Sequence, residues 1–251
     1  MGFFDRFTKR PAPTAVAPPP PPPIPADTNE TVDEARLIAV REAMTAPLHA
    51  TYGDQLPFSY AAAIQFVDGG PDPLDAVEIY WSEIGPHWHY VSYGLSELYQ
   101  KESPQLEVSG WGFELTFRLA ATRADKGTDP AHFFGSLAYQ APTWPIAFLN
   151  RLARSVVDNR RRFQAGDFIS RFNSAIDPNG AIGGAAFVED PQLGFVQTPN
   201  GRLRWLQVVG LTAAEGAARK LEAERGDASS ELMARLRKLD PLLTTRLELR
   251  R

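Results

Sequence analysis

No cysteine occurs anywhere in the 251 residues. That absence removes a disulfide framework, a thiolate nucleophile and any cysteine zinc site, and it makes the cytoplasm the natural compartment. No apolar run approaches the ~20 residues that cross a bilayer, and residues 1–26 lack the apolar core of a signal peptide. No integral membrane segment is expected. Excess positive charge is missing too: the net charge is -4 and the pI about 5.6. A nucleic-acid surface, which leaves a basic footprint, is therefore not the main function. There is no HExxH helix, no Gly-x-Ser-x-Gly elbow and no internal repeat. Ala181-Ile182-Gly183-Gly184-Ala185 lacks the Lys and Ser/Thr of a phosphate loop and reads as a flexible surface loop. No cofactor is expected.

What is present begins with a separate leader. Phe3, Phe4 and Phe7 share one face of a short segment with basic residues behind it, a weak docking element at most. Residues 11–26 carry an unbroken Pro18 to Pro23 run. Proline fixes φ and removes amide donors, so this stretch is an extended polyproline spacer reaching up to ~50 Å. The chain divides into a disordered leader, residues 1–28, and one folded domain, residues 29–251.

Within the domain, Thr31-Val32-Asp33-Glu34 has the spacing of a capping box, opening a helix that Pro47 ends. Tyr60 to Val67 and Ala76 to Trp81 read as strands around a Gly69–Asp75 turn. Two aromatic-rich alternating runs follow, His87 to Tyr93 and Ser109 to Leu119. Alternation puts Phe113, Leu115, Phe117 and Leu119 on one face and Glu114, Thr116 and Arg118 on the other. Pro145 to Arg160 is the clearest helix. Pro199-Asn200-Gly201 joins two strands as a hairpin, and Thr212-Ala213-Ala214-Glu215 is a second capping box, for a helix to about Glu224. Glu231 to Leu239 is a further helix, and Thr244 to Leu249 a closing strand. Strands come in hairpins rather than alternating with helices, which predicts α+β, a mainly antiparallel sheet flanked by helices.

His87 and His89 share a strand face, a spacing that can offer two imidazoles to one metal ion. A third ligand would have to come from His49, His132 or a carboxylate. The alternative is two sheet histidines hydrogen-bonded to neighbours, and it is the one adopted. Asp72, Asp75, Glu78 and Glu114 show no spacing that specifies an acid–base pair. The expectation is a protein that is not an enzyme.

The stretch Gly85-Pro86-His87-Trp88-His89-Tyr90-Val91-Ser92-Tyr93-Gly94-Leu95-Ser96-Glu97-Leu98-Tyr99, followed by Ser109 to Leu119, resembles the signature of the Suppressor of Fused family. Other blocks agree in order: Gly69 to Asp75, Pro142-Thr143-Trp144-Pro145, Glu189-Asp190-Pro191-Gln192, Val196 to Gly201, and Leu206 to Gly210. The resemblance covers roughly residues 30 to 250 and implies a protein-binding module. Eukaryotic members join this domain to a second one, restrain zinc-finger transcription factors, and take the partner peptide as a strand in the cleft between domains. This chain stops near where the first domain ends. Tyr99 matches a partner-contacting tyrosine of the family, and Glu102 and Glu107 lie beside it in a divergent loop, so these three are the candidate partner-binding residues. The stand-alone form with its proline-rich leader is similar to bacterial members proposed to act as immunity proteins. That implies a protein or peptide partner, such as a basic toxin domain, met with electrostatic complementarity. The alternatives are an adaptor tethered through the Phe-rich, proline-rich N-terminus and, remotely, a histidine-metal hydrolase.

Overall fold

The computed structural model describes residues 34–121, 141–226 and 230–247. The leader and its boundary at residue 28, Thr31 to Asp33 of the first capping box, and His132 lie outside the described residues. Four helices are described: α1 (Glu34–Tyr52), α2 (Trp144–Asn159), α3 (Ala213–Glu224) and α4 (Glu231–Leu239). The strands are β1 (Phe58–Ala61), β2 (Ala76–Ser82), β3 (His87–Tyr93), β4 (Val108–Ala120), β5 (Phe168–Ile169), β6 (Gly184–Glu189), β7 (Phe195–Thr198) and β8 (Gly201–Leu211).

All eight strands form one sheet, ordered β1-β2-β3-β4-β8-β6-β5, with β7 paired to β8. The fold is α+β as expected, and every strand pair is antiparallel except β4 with β8. That parallel pair needs a long crossover, and the chain between them supplies α2 and β5 to β7. The two aromatic-rich runs, β3 and β4, lie at the sheet's centre. Their period-two pattern sends Trp88, Tyr90, Phe113, Leu115, Phe117 and Leu119 into one core, covered by α2 through Phe148, Leu149, Leu152 and Val156. On the opposite face lie two separate apolar clusters. One joins α1 (Val40, Met44, Leu48) to Val91, Tyr93, Leu203 and Trp205; the other joins α4 (Leu232, Met233, Leu236) to Val209 and Leu211. The second capping box forms, with Thr212 and Glu215 exchanging hydrogen bonds at the start of α3.

Several expectations are corrected. Pro47 does not end α1, which continues to Tyr52. Met44 and Leu48 flank the proline and are both buried in the same cluster, so packing holds the two halves of the helix together. The strand expected over Tyr60 to Val67 is only Phe58–Ala61, followed by a 3-10 turn, Phe66–Asp68. Ala61 to Ala63 have almost no side chain to bury. The glycine pair at 183–184 opens a buried strand rather than a loose loop, since a Cβ on Gly184 would lie 2.6 Å from the Ile169 carbonyl. Small residues there allow close approach, not flexibility. Of the closing strand, a single bridge from Thr245 to Leu119 forms among the described residues.

Candidate functional site

The polar residues of β3 and β4 do not face water. His87, His89, Thr116, Arg118 and Gln207 are all fully buried, and Asp190 nearly so. Their face of the sheet is where the α1 and α4 clusters part, and Gln207 falls between Trp205 of one and Val209 of the other. Arg118 Nη2 donates to both carboxylate oxygens of Asp190, at 2.8 and 3.0 Å, and the guanidinium reaches Gln207, His87 Nε2 and Tyr52 Oη at 3.3 to 3.4 Å. Asp190 also accepts from Thr116 Oγ1 and from the amides of Gln192 and Leu193. Burial alone would raise the Asp190 pKa. His89, 3.3 Å away, and the Arg118 charge more than offset this and hold the carboxyl well below the usual carboxylate range.

The histidine tautomers follow from these partners. His87 Nδ1 donates to the Gly85 carbonyl at 2.7 Å, leaving Nε2 to accept from Arg118. His89 Nδ1 meets the Tyr52 hydroxyl at 2.7 Å, and Nε2 lies 3.3 Å from Asp190. Burial, reinforced by the Arg118 charge, pushes His87 down to about 4 and His89 down to about 3. Both are neutral at pH 7. The Arg118 guanidinium stands 3.3 Å from His87 Nε2, and its positive charge disfavours a metal ion there. Among the described residues no three metal-ligating side chains converge, and His49 is exposed on α1. This band pins the end of α1, three strands and the segment after α4 together.

A second polar centre lies at the end of β3. Glu114, fully buried, takes the amides of Gly94, Leu95 and Ser96 and the Ser96 hydroxyl on Oε1, at 2.6 to 3.0 Å, and the Ser92 hydroxyl on Oε2 at 2.7 Å. Burial pushes its pKa up to about 7 against the pull of those donors. The carboxylate thereby fixes the chain as it leaves the sheet toward Tyr99. Glu97 continues the work: its carboxylate accepts from the amides of Glu102 and Ser103 and from Lys101 Nζ. Burial opposes ionisation, but the hydrogen bonds from Lys101 and Ser103 outweigh it and lower the pKa. The Glu97 carbonyl accepts from the buried Asn200 at the β7–β8 turn. The loop from 100 to 108 is irregular, yet the Glu102 and Ser103 amides and the Val108 carbonyl have side-chain partners.

The three residues singled out from the sequence sit on this platform in different ways. Tyr99 is half-buried, its hydroxyl accepting a hydrogen bond from Gln65 beside the 3-10 turn. Glu102 and Glu107 are exposed, and between them Leu106 is 79% exposed. Leu106 and the bracing roles of Glu97 and Glu114 were not read from the sequence.

Nor was the groove below the loop. The pairing of β4 with β8 is interrupted between Val108 and Phe113. An open cavity of about 390 Å³ lies there, lined by Trp111, Phe163, Phe195, Arg162, Arg202 and Arg204 among others. Its arginines were legible in part, since Arg202 and Arg204 alternate with the buried Leu203 and Trp205 along β8. Arg162 reaches the loop at Gln105, and Arg204 pairs with Glu189.

The chain matches the family model of Suppressor of fused protein over residues 70–248. It is 34% identical over 187 residues to the Suppressor of fused homologs of Homo sapiens and Mus musculus, an alignment covering 67% of this chain. It spans only about a third of those relatives' length, 36%. Among solved structures it is similar to a chain of the Sufu-Fu complex, with a TM-score of 0.69 and 27% identity over 83% of this chain and 91% of that one. It is also similar to Drosophila Suppressor of Fused, with a TM-score of 0.72 and 28% identity over 90% of this chain and 53% of that one. No helix among the described residues is long and apolar enough to cross a membrane. The family match over residues 70–248, the relatives and the structural neighbours together show that the chain belongs to the Suppressor of fused family.

Proposed function

We propose that the chain is a non-enzymatic protein-binding module whose contact surface is the loop entered at Tyr99. The observation that carries this reading is the construction of the loop. An irregular segment is held by two carboxylates while Glu102, Leu106 and Glu107 are left to solvent. Loops fixed by a rigid scaffold are where recognition concentrates, and a preformed loop loses less entropy on binding. The adjoining split between β4 and β8 suits an extended peptide added beside a strand, a mode in which main-chain hydrogen bonds supply affinity. A family neighbour solved as a Sufu-Fu complex supports a protein partner. In this reading the partner is a basic domain drawn to the two glutamates. A toxin neutralised in the cytoplasm by this chain as its immunity protein is the case that fits.

The test is capture by the immobilised full chain from a native lysate. The triple variant Tyr99→Ala, Glu102→Gln, Glu107→Gln should lose the captured protein and keep its melting curve. Normal capture by that variant would place the site elsewhere, and unfolding would make Tyr99 a core residue.

A further inference from the structure

Lys101 is the only cation in the loop from Gln100 to Val108. It does not join the exposed face. Its amine is turned inward to Glu97 Oε2 at 2.8 Å, to Ser103 Oγ at 2.7 Å and to the Val108 carbonyl, with side-chain exposure of 12%. All three of its hydrogens have acceptors. The same Glu97 takes the Glu102 and Ser103 amides on its other oxygen, so one side chain both shapes the turn and withdraws the positive charge. What remains outside is two carboxylates with Leu106 between them in sequence. The nearby arginines belong to the groove rather than the loop: Arg162 and Arg204 are engaged with Gln105 and Glu189, and Arg202, exposed, lies on β8 with its amide on the Glu107 carbonyl.

We infer that Glu97 is a specificity-setting, positioning residue: by locking Lys101 inward it makes the loop an acidic face with one apolar knob. Such a face fits a basic partner surface with a socket for Leu106. The inference rests on the loop being the recognition surface. Without the lock, a flexible lysine would stand among the glutamates and repel that partner, reducing the association rate.

The experiment uses the full chain, with N-hydroxysuccinimidyl acetate as the probe of lysine accessibility, and hydrogen exchange read at the Glu102 and Ser103 amides. Lys238, exposed on α4, is the internal reference. In the wild type Lys101 should be acetylated at least about tenfold more slowly than Lys238, the protection that about 1.4 kcal/mol of hydrogen bonding confers. Both Glu97→Gln and Glu97→Ala should release Lys101. Only Glu97→Ala should also speed exchange at Glu102 and Ser103, because a glutamine oxygen still accepts from those amides. Capture, scored in parallel, should weaken in Glu97→Gln and recover in the double variant Glu97→Gln, Lys101→Met, which has no cation to expose. Lys101 as reactive as Lys238 in the wild type would overturn the lock. Release of Lys101 without weaker capture, or failure of Lys101→Met to restore it, would overturn its role in specificity. A wild-type chain that captures nothing would sink the recognition reading, while the acetylation rates still decide the lock.

Discussion

Arg118 and Asp190 stand 72 positions apart in sequence and form an ion pair, through one guanidinium nitrogen, whose side chains have no solvent contact. Removing one partner strands the other's charge in the core, so Asp190→Asn should destabilise the fold by about 3–5 kcal/mol in chemical denaturation. The titrating neighbours predict a pH profile with opposed contributions. His87 and His89 have folded pKa values depressed to about 4 and about 3, so below about 6.5 the unfolded chain gains two protons that the folded chain refuses. Stability is lost as pH falls. Glu114 runs the other way: raised to about 7, it takes its proton in the folded state first and adds stability as pH falls toward about 4.5. Two protons against one leaves a net loss between pH 6.5 and 4.5. In Glu114→Gln the opposing proton is gone, and the decline there should be roughly twice as steep. An unchanged slope in a denaturation series at stepped pH would show that Glu114 is not protonated in the folded state. Below about pH 4 the depressed Asp190 takes over from His87, which then binds its proton in the folded state too, and the loss continues.

At the scale of elements, alternation was readable because β4 sends apolar and polar side chains to opposite faces in turn, although both faces are buried. The amphipathic α2 and the Thr212 capping box were readable because each is likewise a local pattern. What the sequence hid depends on neighbours distant along the chain. Glu114 and Arg118 were placed on a shared face, but that face is covered, and their partners come from the β3 end, Asp190 and β8. Tyr99 could be singled out as a residue type; Glu97 and Glu114 could not, because most of their donors are main-chain amides that any sequence has. Pro47 misled because a proline normally breaks a helix, whereas here Met44 and Leu48 anchor both sides of it. Pro47→Ala should restore an amide donor to α1 and stabilise the protein by about 2 kcal/mol, the helix-propensity gain less the unfolded-state entropy. A destabilised variant would mean that the proline is needed to shape the helix against the sheet.

For the whole molecule, the parallel β4–β8 pair decides whether the chain behaves as one unit. In the sheet β1 to β4 lie on one side of this pair's seam and β5 to β8 on the other, so each half lacks the other's central neighbour. The core does not divide at this seam, since Phe117 and Leu115 on one side share a cluster with Phe187, Leu206 and Val208 on the other. The polar band crosses it too, through Arg118 to Asp190 and Gln207. Two halves joined through both faces of a sheet cannot open separately without exposing core and an unpaired buried charge. Native-state hydrogen exchange at rising denaturant should therefore give one free energy of opening for the slowest amides of β2–β3 and of β6. Val77, Tyr90, Ala186 and Phe187, all buried, are suitable reporters. A β6 isotherm that breaks away at lower energy than the β2–β3 one would divide residues 29–251 into two units. Coincident isotherms would also mean that a weakened Arg118–Asp190 pair lowers both halves equally, which Asp190→Asn tests with the same amides.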